Sequence, residues 1–344
     1  MSQDFVTTLR LQLREAAERE ARRSPLRRAL PTRPLLLAGA LAAAAVAVAL
    51  AVGTLNTPSR HEPTTRAPQI VARLAVADQG GPLSSAYGSL WTSDNTGVLR
   101  LGPDGSIVAR IPIKGDINDA YAGTGGMWAM TDERLYRIDP RTNRIVARIP
   151  LPPPSRSFIA VTTDGAVWVV NSDLAVQIDL ATNRTGRRVS LDRGGEAPSG
   201  FANEPGRVYM LRRDGLLETL DSRTFGRIAL IRPQLTDPLV GAAHGEIFQQ
   251  TGAGMSAADA RTGKLLWRTN LGTRTVNGVI EGIGALWVQG TPVNGSRDQL
   301  WKLDPRSGRV LAALKLPDFG TSSMVTARGR VWIMSSGGKL TAIR

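Results

Sequence analysis

A four-residue pattern, Gly-x-aliphatic-aromatic, recurs seven times along the chain. It reads Gly88-Ser89-Leu90-Trp91, Gly125-Gly126-Met127-Trp128, Gly165-Ala166-Val167-Trp168, Gly206-Arg207-Val208-Tyr209, Gly245-Glu246-Ile247-Phe248, Gly284-Ala285-Leu286-Trp287 and Gly329-Arg330-Val331-Trp332. Successive aromatics stand 37, 40, 41, 39, 39 and 45 residues apart. A period near forty with strand-like sequence between the marks points to a β-propeller, one four-stranded blade per repeat.

One repeat shows the plan. Phe158–Thr162 reads as the inner strand A, Ala166–Val170 as strand B, Leu174–Leu180 as strand C and Gly186–Leu191 as the outer strand D. The C–D turn also recurs: Asp139-Pro-Arg-Thr-Asn-Arg144, Asp179-Leu-Ala-Thr-Asn-Arg184, Asp221-Ser-Arg-Thr-Phe225, Asp259-Ala-Arg-Thr-Gly-Lys264 and Asp304-Pro-Arg-Ser-Gly-Arg309, with the shorter Gly102-Pro-Asp-Gly105 in the first blade. Rows of Asp and Thr invite a catalytic reading, but their oxygens suit the capping of turn amides, and the motif repeats because the turn repeats.

Six such turns serve seven aromatic motifs. The chain ends after Lys339–Ile343, which reads as strand C of the last blade. Ile70-Val-Ala-Arg-Leu74 nearly copies the D strands Ile107–Ile111 and Ile145–Ile149. The N-terminal strand is therefore expected to complete the C-terminal blade, closing the ring and removing two open edges. The expected fold class is all-β, a seven-bladed β-propeller spanning residues 69–344.

An address precedes the propeller. Leu35–Leu55 is 21 residues without a charge, about 31 Å as a helix and enough to cross the hydrocarbon core. Arg22, Arg23, Arg27, Arg28 and Arg33 crowd its N-terminal side. The positive-inside rule then places residues 1–34 in the cytoplasm and the propeller outside the plasma membrane. A cleaved signal peptide is the alternative; the long preceding segment argues against it. Phe5, Leu9, Leu13 and Ala17 recur every four residues behind Asp4, so residues 1–34 read as a basic amphipathic helical arm. It would either dock a cytoplasmic partner or only set topology. Residues 56–68, with three prolines and no apolar period, read as a linker.

Composition removes several function classes. There is no cysteine, so disulfides, thiolate metal sites and cysteine nucleophiles are excluded. Two histidines, His61 and His244, exclude a histidine-rich metal centre. The net charge is +14, yet the arginines are scattered through the repeats rather than gathered beside stacking aromatics. Nucleic acid is therefore not expected as a partner. His61 falls in the linker. His244 precedes a motif glycine, where other blades carry Tyr87, Thr124, Asp164, Pro205, Ile283 and Arg328; such variety reads as an unconstrained turn rather than a general base.

With these motifs the chain resembles bacterial YVTN, PQQ-like and streptogramin-lyase-like propellers. Ile138–Ile149 is similar to the YVTN repeat, Asp259–Trp267 to the PQQ type and Gly284–Val288 to the lyase type. The resemblance implies the fold over residues 69–344 and leaves the activity open. Streptogramin lyases use a histidine, carboxylates and magnesium, and no histidine stands on the corresponding side here. Quinoprotein dehydrogenases use eight blades, a calcium-bound quinone and often a cysteine pair, from which this chain departs. No cofactor or metal is expected, and no catalytic residue is assigned.

The B–C and D–A connections of a propeller share one face, usually the ligand face. On that loop face the candidate binding residues are Asp94, Asp116, Asp132, Arg156, Asp173, Arg212, Asp214, Arg274, Arg297 and Asp298. The sixth blade has the longest B–C connection, Gln289–Asp298. The outer strand that closes the ring starts near the opposite face, so the loop face is expected to point away from the membrane. The expected function is a membrane-anchored extracytoplasmic module that binds a protein or polar ligand of the cell envelope. The alternatives are a metal-assisted lyase or hydrolase, or an envelope signalling component working through its cytoplasmic arm.

Overall fold

The computed structural model describes residues 67–151, 159–163, 165–170, 174–191, 198–235, 237–295, 297–317 and 320–344. The arm, Leu35–Leu55 and residues 56–66 of the linker lie outside them. The chain divides into two compact units, Met1–Ala40 and Leu41–Arg344, and every described residue belongs to the second. No helix among the described residues is long and apolar enough to cross a membrane.

The described residues form 28 strands in seven antiparallel sheets of four. Six sheets keep chain order, as in β6 (Asp119–Gly123), β7 (Gly126–Met130), β8 (Arg134–Asp139) and β9 (Arg144–Pro150). The seventh runs β1 (Ile70–Ala75), β28 (Lys339–Ile343), β27 (Arg330–Ser335), β26 (Thr321–Ala327). The first strand thus pairs with the last, from Ile70 opposite Ile343 to Ala75 opposite Lys339. The ring is closed as the sequence implies. Paired Gln69 and Arg344 backbone bonds of 3.1 and 3.0 Å extend this ladder by one rung.

In the third blade the strands are β10 (Ile159–Thr163), β11 (Ala166–Val170), β12 (Leu174–Asp179) and β13 (Arg184–Ser190). The outer strand starts two residues before the expected Gly186. Asn183 sits in the left-handed region (φ 54°) and completes the turn, so the ladder resumes at once with Arg184 opposite Asp179.

The recurring motif is the seam between blades. Adjacent side chains of a strand point to opposite faces, and here the two faces meet different neighbours. In the first blade Leu90 packs against the seventh and Trp91 against the second. Met127 faces back to the first blade and Trp128 forward to the third. The same division holds for Val167 and Trp168, Val208 and Tyr209, Ile247 and Phe248, Leu286 and Trp287, and Val331 and Trp332. The seven apolar clusters among the described residues are the seven blade interfaces, and each draws on two blades.

The C–D turns are a second latch. In each of the five long turns, the Asp carbonyl accepts the amide of the residue four further on at 2.8 Å. In all six, the residue next to the outer strand or one before it has positive φ: Gly105 at 86°, Asn143 at 56°, Asn183 at 54°, Phe225 at 51°, Gly263 at 71° and Gly308 at 67°. What stands there matches the preceding blade. Arg100, stacked 5.2 Å from the Trp91 ring, donates to Asn143 Oδ1 at 3.0 Å. Arg137, 5.6 Å from the Trp128 ring, donates to Asn183 Oδ1 at 2.7 Å. Trp168 has Gln177 instead of Arg as its cross-strand partner, and buried Phe225 fills the space, its ring centroid 4.5 Å from the indole. Gly308 lies against Trp267, where an added Cβ would come within 2.3 Å of Cε3.

Two outcomes follow from these turns. Gly308→Ala combines positive φ with that clash and should lower stability by about 1–3 kcal/mol in a denaturant titration, whereas Asn143→Gly, which keeps the turn and loses only the Arg100 acceptor, should cost about 0.5–1.5 kcal/mol. The turn carboxyls of Asp139, Asp179, Asp221 and Asp259 lie below the ordinary aspartate range, held there by hydrogen bonds from Arg141 N, the Thr182 side chain, the Thr224 side chain and the Thr262 side chain respectively. A folded pKa below the unfolded one gives stability that is present above about pH 4 and is lost as pH falls through the folded value. Unfolding titrations below pH 4 should therefore show an acid limb that flattens in Asp259→Asn.

Candidate functional site

The loop-face carboxylates mostly serve their own loops. Asp94 Oδ1 accepts the Thr96 amide at 2.8 Å, the Thr96 hydroxyl at 2.6 Å and the Gly97 amide at 3.1 Å, and its other oxygen pairs with Arg110. Burial raises its pKa, but the Thr96 and Arg110 hydrogen bonds outweigh burial and leave the carboxyl below its usual value. Asp132 accepts the Asn118 side-chain amide at 2.7 Å. Asp214 accepts the Leu216 amide at 3.1 Å and pairs with Arg212 at 2.7 Å. Asp116 is exposed between β5 (Ile107–Pro112) and β6. Arg156 and Asp173 lie outside the described residues.

The sixth blade differs from the rest. Its strands β22 (Thr273–Gly282) and β23 (Ala285–Pro292) stay paired up to Thr273 opposite Pro292. That rung is five residues beyond the motif aromatic Trp287; in the fourth and seventh blades pairing stops three beyond, at Arg212 and Ser335. Two further residues add about 7 Å of strand. Four of the ten residues of the long connection read from sequence, Gln289–Pro292, are thus strand, and the true loop begins at Val293.

A polar network fixes this arm. Asp298, at 0% exposure, takes Gln289 Nε2 on one oxygen and the Thr291 hydroxyl on the other, both at 2.7 Å. Its carbonyl accepts the Leu316 amide at 2.8 Å. The Thr273 hydroxyl reaches Thr275 O at 2.6 Å and Thr291 O at 2.8 Å. Arg274 and Arg297 are exposed on either side of the arm's end, and Arg274 Nη2 meets Val293 O at 3.3 Å. Asp298 therefore shapes the loop from inside, while Arg297 beside it faces solvent.

Sequence reasoning missed the ring of A–B turns at the other end of the strands. The variable residue before the motif glycine is not unconstrained. Tyr87, His244, Ile283 and Arg328 all have φ between 53° and 55°, and the following glycines are also positive, which makes four hairpin turns of the primed class. Several carry a bond to the next blade. Arg328 Nη2 donates to Gly88 O at 2.7 Å, across the closing seam. The Tyr87 hydroxyl donates to Gly123 O. Thr124 Oγ1 accepts the Gly165 amide at 3.3 Å. Glu204, which takes the Tyr209 hydroxyl at 2.5 Å, accepts the Gly245 amide at 2.8 Å. His244 Nε2 stands 3.4 Å from Glu281 Oε1. The signal was present as seven equivalent positions, but different residues make different bonds there. Among the described residues no group of three or more His, Cys, Asp or Glu is placed to hold a metal ion.

Comparison with known proteins follows this geometry. The sequence profile of a family described as outer membrane protein assembly factor BamB matches residues 234–344, the last three blades. No curated protein matches the chain. Among solved structures, BamB from Moraxella catarrhalis is similar at TM-score 0.58 and 15% identity, covering 81% of this chain and 98% of that one. The computationally designed Ika8 protein is similar at 0.57 and 12%, covering 76% and 82%. The Pan2 WD40 domain of Neurospora crassa is similar at 0.58 and 10%, covering 82% and 97%. These likenesses establish the propeller fold, with PQQ-type repeats over residues 234–344.

Removing the buried carboxylate should loosen the arm rather than the ring. Asp298→Ala leaves the Gln289 and Thr291 donors without their acceptor and should cost about 1–3 kcal/mol. Hydrogen exchange should rise in residues 273–277 and 289–293 and stay unchanged in β7 and β27.

Proposed function

We propose that this chain is a non-enzymatic, protein-binding propeller, anchored in a bacterial plasma membrane by Leu35–Leu55 and presenting its loop face away from the bilayer. One observation carries the binding reading: the loop-face carboxylates are already engaged within the protein, Asp94 and Asp214 by their own loops, Asp132 by Asn118 of the preceding connection and Asp298 by Gln289 and Thr291 of β23. A hydrolase or lyase needs carboxylates converging on a substrate, whereas a docking face needs rigid loops with polar tips. The likeness of the last three blades to a protein described as an assembly factor supports a scaffold that holds a protein partner. The arginine-flanked Leu35–Leu55 segment supports the anchor.

The test uses the full chain in its membrane. A photo-crosslinking amino acid at Asp116, Arg213 or Asn294 should give discrete protein adducts, and one at Arg141 or Arg261 on the C–D turns should give none. Because the chain lacks cysteine, Arg306→Cys should react with an impermeant maleimide in intact cells, and Ser24→Cys only after lysis. Adducts from the C–D turns alone, or the reverse labelling pattern, would overturn the reading.

A further inference from the structure

The arm of the sixth blade stands out by reach, rigidity and chemistry. Its pairing goes two residues further past the motif aromatic than in the fourth or seventh blade. Its position is set by the buried Asp298 with Gln289 and Thr291, by the Thr273 hydroxyl, and by the Arg274 bond to Val293 O. A loop held this way loses little conformational entropy on binding. Its end displays Val293, 49% exposed, whose carbonyl Arg274 meets, and Arg297 is exposed four residues further along the same connection. Neither arginine has a carboxylate partner among the described residues, in contrast to Arg110 and Arg212 on the same face.

We infer that this arm is the docking element of the loop face and that it takes an acidic segment of a partner protein. Two forked guanidiniums donate paired hydrogen bonds to carboxylates, and the exposed Val293 of the same connection offers an aliphatic contact beside them. Two arginines and a valine do not make the basic track with stacking aromatics that single-stranded nucleic acid needs. Nor do they match the clusters of four to eight cations that recruit anionic lipid, by the general pattern of such sites. The inference rests on the protein-binding reading above and specifies the chemistry of its partner.

The experiment keeps the full chain in its membrane, with the photo-crosslinker at Asn294 and, in parallel, at Asp116 and Arg213. The adducted partner peptide is sequenced by mass spectrometry. The expected result is an adduct from Asn294 on a peptide rich in Asp and Glu, reduced about tenfold or more by R274E/R297E. Because Arg274 also holds Val293 O, R297E alone serves as the second variant and should reduce the adduct about threefold or more. Replacing the acidic residues of the identified peptide with Lys should restore the adduct to R274E/R297E. Adducts from Asp116 or Arg213 with none from Asn294 would overturn the inference and leave the protein-binding reading standing. An Asn294 adduct to lipid or nucleic acid, or one unaffected by both variants, would also overturn it. Absence of protein adducts from all three positions would overturn the protein-binding reading itself.

Discussion

Packing between neighbouring blades is the interaction on which the rest of this structure depends. Among the described residues no apolar cluster belongs to one blade; each is shared, with the aliphatic residue of one motif facing back and the aromatic of the same motif facing forward. A single four-stranded sheet has two apolar faces and cannot bury both alone. Seven can, provided the seventh meets the first. The pairing of β1 with β28 is thus a condition for burying Leu90, Trp332 and Leu340 together, and not an added refinement. Closure also explains how a propeller with no cysteine holds its first and last strands in register.

The seam was legible because it obeys the shortest rule a strand has. A period of two within the motif and a period near forty between motifs are properties of single segments, so they survive in the linear sequence. The closing strand was legible for the same reason: Ile70–Leu74 repeats a pattern that pairs with strand C in other blades. The residue at the left-handed position of each C–D turn was not legible. Asn, Phe and Gly there look like drift until the preceding blade is placed beside them. Asn143 is matched to Arg100 and Phe225 to Trp168, partners more than forty residues away. The A–B turns hid their role in the same manner, since Tyr87, Glu204 and Arg328 make the same kind of link with different chemistry.

The loop face escapes these constraints, and so it is where the blades diverge. The seam grips each strand around its motif and leaves the connections above it free to change length. In the sixth blade, Trp287 and Leu286 keep their places in two interfaces while the same strand continues to Pro292. The insertion that makes the last step 45 residues long therefore costs the ring nothing. From sequence, Asp298 and Arg297 were equivalent candidates on one polar connection. The extra rungs of strand separate them, turning one carboxylate inward and leaving its neighbour in solvent.

That separation bears on what the arm is for. A buried carboxylate held by an amide and a hydroxyl is no efficient source of stability, because apolar residues of similar volume often serve as well or better. What such a network supplies is position: Gln289 and Thr291 on one strand and Leu316 in the next connection all meet Asp298, so the end of the arm has one location relative to the ring. Fixing Arg297 and Val293 in place has no consequence for the seams, which are complete without them. Under the docking reading its consequence is for a surface that meets the arm from outside, and two guanidiniums with no carboxylate partner among the described residues set the sign of charge that such a surface would carry.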